Sequence, residues 1–404
     1  MRSADKPRAL FINSGILGHK SVVTLLREAT AHDPELDAVH VDLSEGLTLQ
    51  DRVARRLLCF RPFGETRLSR MNIDFARWRH EMHAGLLAAR RIRAHERRGP
   101  RFDVLHFHTQ AAAYCSLKRM EVTPTVVSID CTGRLASLET RSRIARSTYW
   151  PNRLRDGEVF RRASAIISTS RWAARSVESE YPDCAQKIDI LPYPVRLESF
   201  DPGWIEERRA RFLQKPTSEV RVLFIGGDFL RKGGLDLLHA WREGRFADRA
   251  QLDLVTDWPL EKAGLGPGVH LLTGIAPFTR EWSELWRQAD LFVLPTRSEA
   301  FGMVYQEAAA AGLPAIGSRL NAVPEIIEDN VTGLLVSPGD TAELIRALDA
   351  LVSSFELRHR MGVAGRRRVE LRSAPEAYSQ KLTSIMRRLA LEGRRVPGHR
   401  AVRI

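Results

Sequence analysis

Two glutamates and a glycine in one segment carry groups that bind polar ligands. Glu299 and Glu307 flank Gly302 in the sequence LFVLPTRSEAFGMVYQEAAAAGLPAIGS. The apolar run Leu291 to Leu294 predicts a buried strand, and the alanine-rich stretch Val304 to Ala311 predicts a helix. We therefore expect Glu307 in the first turn of that helix and Glu299 on the loop before it.

The junction between this strand and this helix has the chemistry to bind an anion and a polyol. Main-chain N–H groups at a helix start stabilise a phosphate without a metal ion, and here they belong to Phe301, Gly302 and Met303. The Glu307 carboxylate can accept hydrogen bonds from two ribose hydroxyls, and Glu299 can accept them from a second sugar. The competing interpretation is that Glu307 only complements the helix dipole and Glu299 is a solvated loop side chain.

A second anion-binding turn is predicted after the strand Val220 to Ile225, in the sequence GGDFLRKGG. Glycines at a strand-to-helix turn expose main-chain N–H groups, and a lysine among them neutralises a diphosphate. We predict that Lys232 is this cation, with Arg231 beside it and Gly227 lining the site. The alternative is a solvated turn with incidental charges.

Two polar side chains lie at strand ends in the first half of the chain. His108 ends the predicted strand Val104 to His108, and Asp130 follows the strand Thr125 to Ile129. Open parallel sheets bind ligands at the carboxyl ends of their strands, so both are candidate site residues. Asp130 could instead cap the turn that follows it. We predict no metal site here, because no Cys or acidic ligand set accompanies the histidine at a useful spacing.

The segment around the two glutamates resembles the donor site of the retaining glycosyltransferases of family 4. The resemblance rests on SEAFG, on the second glutamate, on Ala308, Gly312 and Pro314, and on VPEII followed by NVTGLLV. It implies a GT-B fold, an α/β architecture in which two Rossmann-like, doubly wound parallel-sheet domains face a central cleft. The alternation of strand and helix patterns along the chain agrees with parallel sheets.

The resemblance also implies a reaction. Members of the family are transferases (EC 2.4, hexosyltransferase type) that move a sugar, with retention, from a nucleoside-diphosphate-sugar to a glycan or lipid-linked acceptor in polysaccharide or glycolipid biosynthesis. The leaving diphosphate itself accepts the proton of the acceptor, so no metal or other cofactor is expected. Two alternatives stay open: a nucleotide-sugar-binding protein that has lost transfer, and a GT-B epimerase that acts on the nucleotide sugar.

Residues in both halves acquire roles from this resemblance. Glu299, Asp130 and His108 are the expected catalytic residues. The loop after the first strand carries Gly15 and Gly18, which are expected to line the cleft near the acceptor and the donor diphosphate. As a dinucleotide-binding fingerprint this loop is weak, because it lacks a third glycine.

Two positions depart from the family pattern. Gly227 stands where an arginine tends to follow the glycine after the strand, which leaves open whether Arg231 supplies a second positive charge or Lys232 suffices. Asp130 stands where many members carry a histidine close to the transferred sugar. An aspartate there could bind a donor hydroxyl, stabilise positive charge at the anomeric carbon or orient the acceptor.

A chain of 404 residues is long enough for two domains. We expect an acceptor-binding domain over residues 1–200 and a nucleotide-sugar-binding domain over residues 201–374. Prolines between Pro192 and Ser218 mark the connection between them. The resemblance implies that a C-terminal helix within residues 375–404 crosses back to the first domain.

Positive charge concentrates in one region of the chain. The net charge is +13, and residues 52–101 hold 14 arginines against 4 carboxylates, interleaved with apolar and aromatic side chains. Such a segment can contact an anionic membrane surface. Nucleic acid is a less favoured partner, and a solvated arginine-rich face is the plain interpretation.

The location of the protein is predicted from what the sequence lacks. No apolar run reaches the length of a membrane span, the apolar stretch near the start is too short for a signal peptide, and the four cysteines are widely spaced. We therefore expect a cytoplasmic protein with reduced thiols, in peripheral contact with the inner face of the cell membrane.

Overall fold

The computed structural model describes residues 6–14, 20–60, 72, 74–140, 142–216, 219–261 and 264–395. The chain forms two units: unit 1 combines Met1–Tyr193 with Glu376–Ile404, and unit 2 is Pro194–Pro375. The boundary lies between Tyr193 and Pro194, a few residues before the position 200 used in the sequence-based division.

Unit 1 is built on a parallel sheet of six strands in the spatial order β2-β1-β3-β4-β5-β6. The strands are β1 (Arg8–Asn13), β2 (Asp37–Asp42), β3 (Val104–Phe107), β4 (Thr125–Ile129), β5 (Ala165–Ser168) and β6 (Ile188–Ile190). The central strands are buried along their whole length, because helices cover both faces of a parallel sheet and apolar side chains are needed on each.

The helices of unit 1 connect these strands. They span Lys20–Thr30, Leu49–Leu58, Ala76–Arg98, Gln110–Ala113, Leu117–Met120, Gly133–Leu138, Arg143–Ser147, Trp150–Arg162 and Arg171–Glu180, with a 3-10 helix at Pro182–Lys187. The final helix, Pro375–Arg395, returns to this unit from Glu376 onward. It is tied there by Arg394, whose guanidinium pairs with Asp103 at 2.7 Å.

Unit 2 repeats this architecture with the spatial order β12-β11-β10-β7-β8-β9. The strands are β7 (Val220–Ile225), β8 (Ala250–Val255), β9 (Val269–Leu272), β10 (Leu291–Leu294), β11 (Ala315–Ser318) and β12 (Gly333–Val336). The chain leaves β7 toward one edge of the sheet and returns to place β10 on its other side. The carboxyl ends of β7 and β10 are therefore the topological switch point, where sheets of this kind bind ligands.

The helices of unit 2 cover both faces of its sheet. They span Gly203–Gln214, Gly234–Glu243, Arg280–Gln288, Met303–Ala310, Val323–Ile326, Thr341–Ser353 and Phe355–Arg372, with 3-10 helices at Leu197–Ser199 and Phe246–Asp248. Each unit has a hydrophobic core formed from its own residues.

The predicted fold class, two doubly wound parallel-sheet domains, is confirmed. Three element bounds were wrong by one residue, among them the end of the helix after β10, which is Ala310 instead of Ala311. Strand β3 ends at Phe107, so His108 lies just after it, and the helix after β10 begins at Met303 instead of Val304. Within the described ranges, no helix combines the length and the apolar character that a membrane crossing requires.

Candidate active site

The loops after β7 and β10 meet at the switch point of unit 2. Lys232 lies on the first loop and Glu299 on the second, and the Lys232 ammonium forms an ion pair with Oε2 of Glu299. Only 16% and 13% of these side chains are exposed. The fold thus brings together two predicted site residues that are 67 positions apart in the chain.

The turn that carries Lys232 is held directly against the end of β10. Gly233 adopts φ 76°, and a Cβ atom there would lie 1.9 Å from the carbonyl oxygen of Pro295. The amide of Arg297 and the hydroxyl of Thr296 both donate to the carbonyl of Arg231, at 2.8 and 3.2 Å. A glycine is needed at position 233 because the backbone conformation and the close approach both exclude a side chain.

Arg231 joins the same two loops. Its Nη1 donates to the carbonyl of Ser298 at 2.8 Å, and its Nε pairs with Asp228 at 3.0 Å. Its expected contact with a diphosphate stays a prediction. Gly227 is exposed, and a Cβ atom there would meet nothing within 4 Å, so sterics do not require glycine at that position.

Two further contacts of this loop were missed by sequence reasoning. Nε and Nη2 of Arg297 bond the two carboxylate oxygens of Asp236 at 2.7 and 2.6 Å, a bidentate geometry that orients the loop. Nδ2 of Asn321 donates to the carbonyl of Glu299 at 3.0 Å. In sequence Asp236 is indistinguishable from an acidic residue that complements the start of its own helix, and no sequence signal pairs it with Arg297.

The start of the helix Met303–Ala310 has a backbone that only glycine adopts readily. Gly302 has φ 97°, and a Cβ atom there would lie 2.7 Å from the ring of Tyr305. Tyr305 is buried, and its hydroxyl donates to the carbonyl of Leu294 at 2.6 Å. The turn of Phe301, Gly302 and Met303 is thereby fixed against the end of β10.

Glu307 lies in the second turn of this helix, so its prediction in the first turn was wrong. The helix begins at Met303, and no acidic residue falls in its first turn. Glu307 is half-buried, and the partial loss of solvent around its carboxyl raises the pKa of that group to about 7. In the part of the chain that the structure describes, it has no side-chain ion pair. Its carboxylate oxygens are acceptors suited to hydroxyl donors.

The predicted residues of unit 1 lie at the ends of neighbouring strands. His108 follows β3 and is fully buried, and its ring stacks on that of Tyr193 with centroids 5.6 Å apart. Asp130 follows β4 and is half-buried. Burial, and then the charge of Asp130, raise the pKa of Tyr193. Gly15 and Gly18 fall within residues 15–19, outside the described ranges, so their expected role stays a prediction.

Comparisons with known proteins agree with this architecture. The family model described as Glycosyltransferase Family 4 matches residues 21–199, and the one described as Glycosyl transferases group 1 matches residues 219–354. A D-inositol 3-phosphate glycosyltransferase from Arthrobacter sp. (strain FB24) is 29% identical over 302 residues, which cover 70% of each chain.

Two solved structures share the fold at low sequence identity. A sucrose-phosphate synthase from Thermosynechococcus elongatus superimposes with a TM-score of 0.72 at 18% identity, covering 96% of this chain and 100% of that one. The Anabaena protein HepE, solved in complex with UDP-glucose, superimposes with a TM-score of 0.62 at 17% identity, covering 94% and 98%. At these identities the likeness shows the fold.

The two six-stranded parallel sheets define an α/β enzyme of the GT-B class. Its relatives and structural neighbours are glycosyltransferases of the EC 2.4 type. The two family models together span most of the sequence, and the chain belongs to the glycosyltransferases of the family 4 and group 1 type.

Proposed function

We propose that this glycosyltransferase moves a sugar, with retention of configuration, from a nucleoside-diphosphate-sugar to a glycan or lipid-linked acceptor in cell-surface polysaccharide or glycolipid biosynthesis. The observation that carries the proposal is the Lys232–Glu299 ion pair beside the start of the helix Met303–Ala310. This pair places a cation that can bind a diphosphate next to a carboxylate that can accept hydrogen bonds from sugar hydroxyls. The UDP-glucose bound to the HepE relative supports this donor class.

The predicted residues on the donor side have distinct roles in the proposed reaction. The amides of Phe301, Gly302 and Met303 hold the diphosphate at the positive end of the helix dipole. Glu307 binds the ribose. The bond between the anomeric carbon and the diphosphate oxygen breaks, the acceptor oxygen attacks on the same face, and its proton passes to the leaving diphosphate. No metal or other cofactor is required, because Lys232 and the amides neutralise the charge that develops.

The acceptor side of the proposed reaction rests on unit 1. His108 and Asp130 lie at the carboxyl ends of β3 and β4, adjacent strands of its sheet. A carboxylate at the end of β4 can accept a hydrogen bond from a hydroxyl and stabilise positive charge at the anomeric carbon. We propose that Asp130 does this and that the His108–Tyr193 stack supports it.

A thermal-shift screen against uridine, guanosine and adenosine diphosphates and their sugars tests the donor class. We expect one nucleotide to raise the melting temperature by mass action, with or without EDTA. Lys232→Ala should lose the shift, whereas Lys215→Ala, at an exposed lysine of the same unit, should keep it. The absence of a shift with every diphosphate, or a full shift in Lys232→Ala, would refute the proposal.

Product analysis then decides the reaction. We expect a glycosylated acceptor whose anomeric configuration, measured by NMR, matches that of the donor. An isomerised free donor would identify an epimerase, and donor binding with neither product would identify a binding protein.

We further propose that the helix Leu49–Leu58 contacts an anionic membrane surface. Thr48 caps the helix, and the buried side chain of Asp51 pairs with Arg90 at 3.2 Å. The Asp51 side of the helix therefore faces the protein. Leu49 and Leu57 are 77% and 74% exposed. The exposed apolar residues recur at helical spacing and continue past the helix end; they are Leu49, Val53, Leu57 and Phe60. The exposed basic residues beside them are Arg52, Arg55 and Arg56.

This surface has the charge and the apolar stripe that an anionic bilayer interface attracts, at about 1 kcal/mol per basic residue. We expect flotation with anionic vesicles at low salt, weaker flotation at high salt and none with zwitterionic vesicles. The triple variant Leu49→Ser, Val53→Ser, Leu57→Ser should lose flotation. Leu213→Ser, at a 67% exposed leucine of unit 2, should float as the wild type does. Absence of binding to anionic vesicles at low salt would end the proposal.

A further inference from the structure

Unit 1 contains a buried tyrosine between two carboxyl groups. The hydroxyl of Tyr114 lies 2.7 Å from Oδ1 of Asp156 and 3.0 Å from Oε2 of Glu81. Tyr114 is 1% exposed and Asp156 is fully buried. A tyrosine hydroxyl has a single proton to donate. If both carboxyls were ionised, one of these two oxygen contacts would contain no proton and would be repulsive.

The partners of the two carboxyls indicate which one holds the extra proton. Glu81 accepts from Nε of Arg77 at 2.7 Å and from Nδ2 of Asn152 at 2.5 Å, and a cation in contact favours its charged form. Asp156 has instead the amide of Gly133, which donates to Oδ2 at 2.7 Å, and the Tyr114 hydroxyl. Among the residues that the structure describes, no cation pairs with Asp156, and a buried carboxyl without such a partner is more stable when neutral.

We propose that Asp156 is a positioning residue whose protonated carboxyl donates a hydrogen bond to the Tyr114 oxygen, and that the Tyr114 hydroxyl in turn donates one to the ionised Glu81 carboxylate. In this chain of hydrogen bonds every oxygen contact contains one proton, and Oδ2 of Asp156 remains free to hold the amide of Gly133.

The bond to Gly133 connects this network to the candidate acceptor site. Gly133 begins the helix that follows β4, and Asp130 lies between the two. The same loop is held at Thr132, whose hydroxyl bonds that of Ser176 at 2.7 Å, and at the carbonyl of Cys131, which accepts from Gln110 at 2.9 Å. The network therefore sets the position of the loop that presents Asp130, an inference that rests on the role proposed for that residue.

The network is built to respond to pH. Burial, and then the charge of Glu81, raise the pKa of Asp156 to about 7. The titratable and charged groups that face Asp156 from the surrounding elements are Arg77, Glu81, Tyr114, Cys131 and Tyr181. When Asp156 loses its proton, its buried carboxylate and the partly buried carboxylate of Glu81 share the single proton of Tyr114. The Gly133 amide by itself favours the ionised form of Asp156, but repulsion from the Glu81 carboxylate should displace the ionised Asp156 side chain. We therefore expect the loop at Gly133 to be held below about pH 7 and loosened above it.

Hydrogen exchange tests this without a substrate. An Asp156→Asn side chain keeps an oxygen for Gly133 and an N–H for Tyr114, so it mimics the protonated residue at every pH. In the wild type, protection of the main-chain amides of residues 131–135 should fall severalfold between about pH 6 and about pH 8, after correction for intrinsic exchange. Asp156→Asn should show no fall, whereas Asp183→Asn, at an exposed aspartate paired with Arg161, should behave as the wild type.

Infrared spectroscopy reports the proton itself. In a Glu307→Gln background, which removes the other carboxyl with a pKa of about 7, the chain should show the C=O band of a buried carboxylic acid at about pH 6 that disappears by about pH 8, and adding Asp156→Asn should remove it. Equal protection at both pH values in the wild type, or no acid band, would overturn the proposal even if Asp156→Asn failed to fold.

Turnover separates this inference from the proposed function. With the donor identified by thermal shift, kcat of the wild type should fall at alkaline pH, toward about tenfold per pH unit. Asp156→Asn should remove that fall with KM for the donor unchanged. A protein that shows the exchange and infrared changes but no transfer would refute the role of Asp130 and leave the proton network intact. An alkaline fall that persists in Asp156→Asn would refute the positioning role.

Discussion

The Lys232–Glu299 ion pair joins two side chains that we assign to different parts of the donor. Lys232 is expected to contact the diphosphate and Glu299 the transferred sugar, yet each is the other's partner in the protein. A diphosphate must therefore compete with the Glu299 carboxylate for Lys232. Because both side chains are mostly buried, this competition is stronger than it would be for a surface ion pair.

Because of this competition, removing the Glu299 charge should stop transfer but strengthen the binding of the diphosphate product. Glu299→Gln should abolish transfer and raise the affinity for the nucleoside diphosphate severalfold, on the order of 1 kcal/mol, because Lys232 loses its internal carboxylate. Titration calorimetry with the diphosphate measures the affinity. Glu328→Gln, which removes a surface ion pair with Arg368, should leave it unchanged. Weaker diphosphate binding in Glu299→Gln would contradict the competition.

Glu307 should make donor binding depend on pH. Burial raises the pKa of its carboxyl to about 7, and only the ionised carboxylate accepts hydrogen bonds from two ribose hydroxyls. Affinity for the nucleotide sugar should fall as pH drops below about 7, toward about tenfold per pH unit. A nucleotide sugar is the proper ligand here, because the terminal phosphate of a free diphosphate titrates nearby.

The matched variant is Glu307→Gln, which should bind the nucleotide sugar weakly and with the same affinity from about pH 5.5 to about pH 8. Unchanged donor affinity across that range in the wild type would exclude Glu307 as a ribose ligand.

Among the secondary-structure elements, the start of the helix Met303–Ala310 is the most constrained part of the candidate site. Gly302 has a positive φ and leaves no room for a Cβ atom against Tyr305. Gly302→Ala should lower the free energy of unfolding by about 1–3 kcal/mol, measured by denaturant titration. Gly227→Ala, where a Cβ atom meets nothing within 4 Å, is the control and should be nearly neutral. Equal free energies of unfolding for the two variants would show that the turn accommodates a side chain at position 302 without strain.

The same elements show how far sequence patterns reach. Short apolar runs such as Leu291–Leu294 predict buried strands because a parallel sheet is covered on both faces. The ends of elements were less predictable. Glu307 was placed in the wrong helical turn because the positive φ of Gly302 starts the helix at Met303, and no local pattern reveals that conformation in advance.

At the scale of the whole molecule, each unit has its own hydrophobic core, and the core of unit 2 lies wholly within Pro194–Pro375. A unit with its own core is in principle able to fold alone. We expect a fragment of residues 194–375 to unfold cooperatively and to bind the nucleoside diphosphate with an affinity within about tenfold of the full chain, measured by calorimetry. The same fragment with Lys232→Ala should fold and lose binding. A fragment that folds without binding would place essential donor contacts in unit 1.

By itself the sequence determined the fold class and pointed to the groups that we assign to the donor site, because these reside in contiguous segments: an apolar strand, a glycine and the acidic residues next to them. Tertiary structure alone decided which groups meet. Arg297 and Asp236 are 61 positions apart, and Tyr114 and Asp156 are 42 apart. Whether a carboxyl such as Asp156 holds a proton depends on its burial and on the charges packed around it, and both exist only in the folded chain.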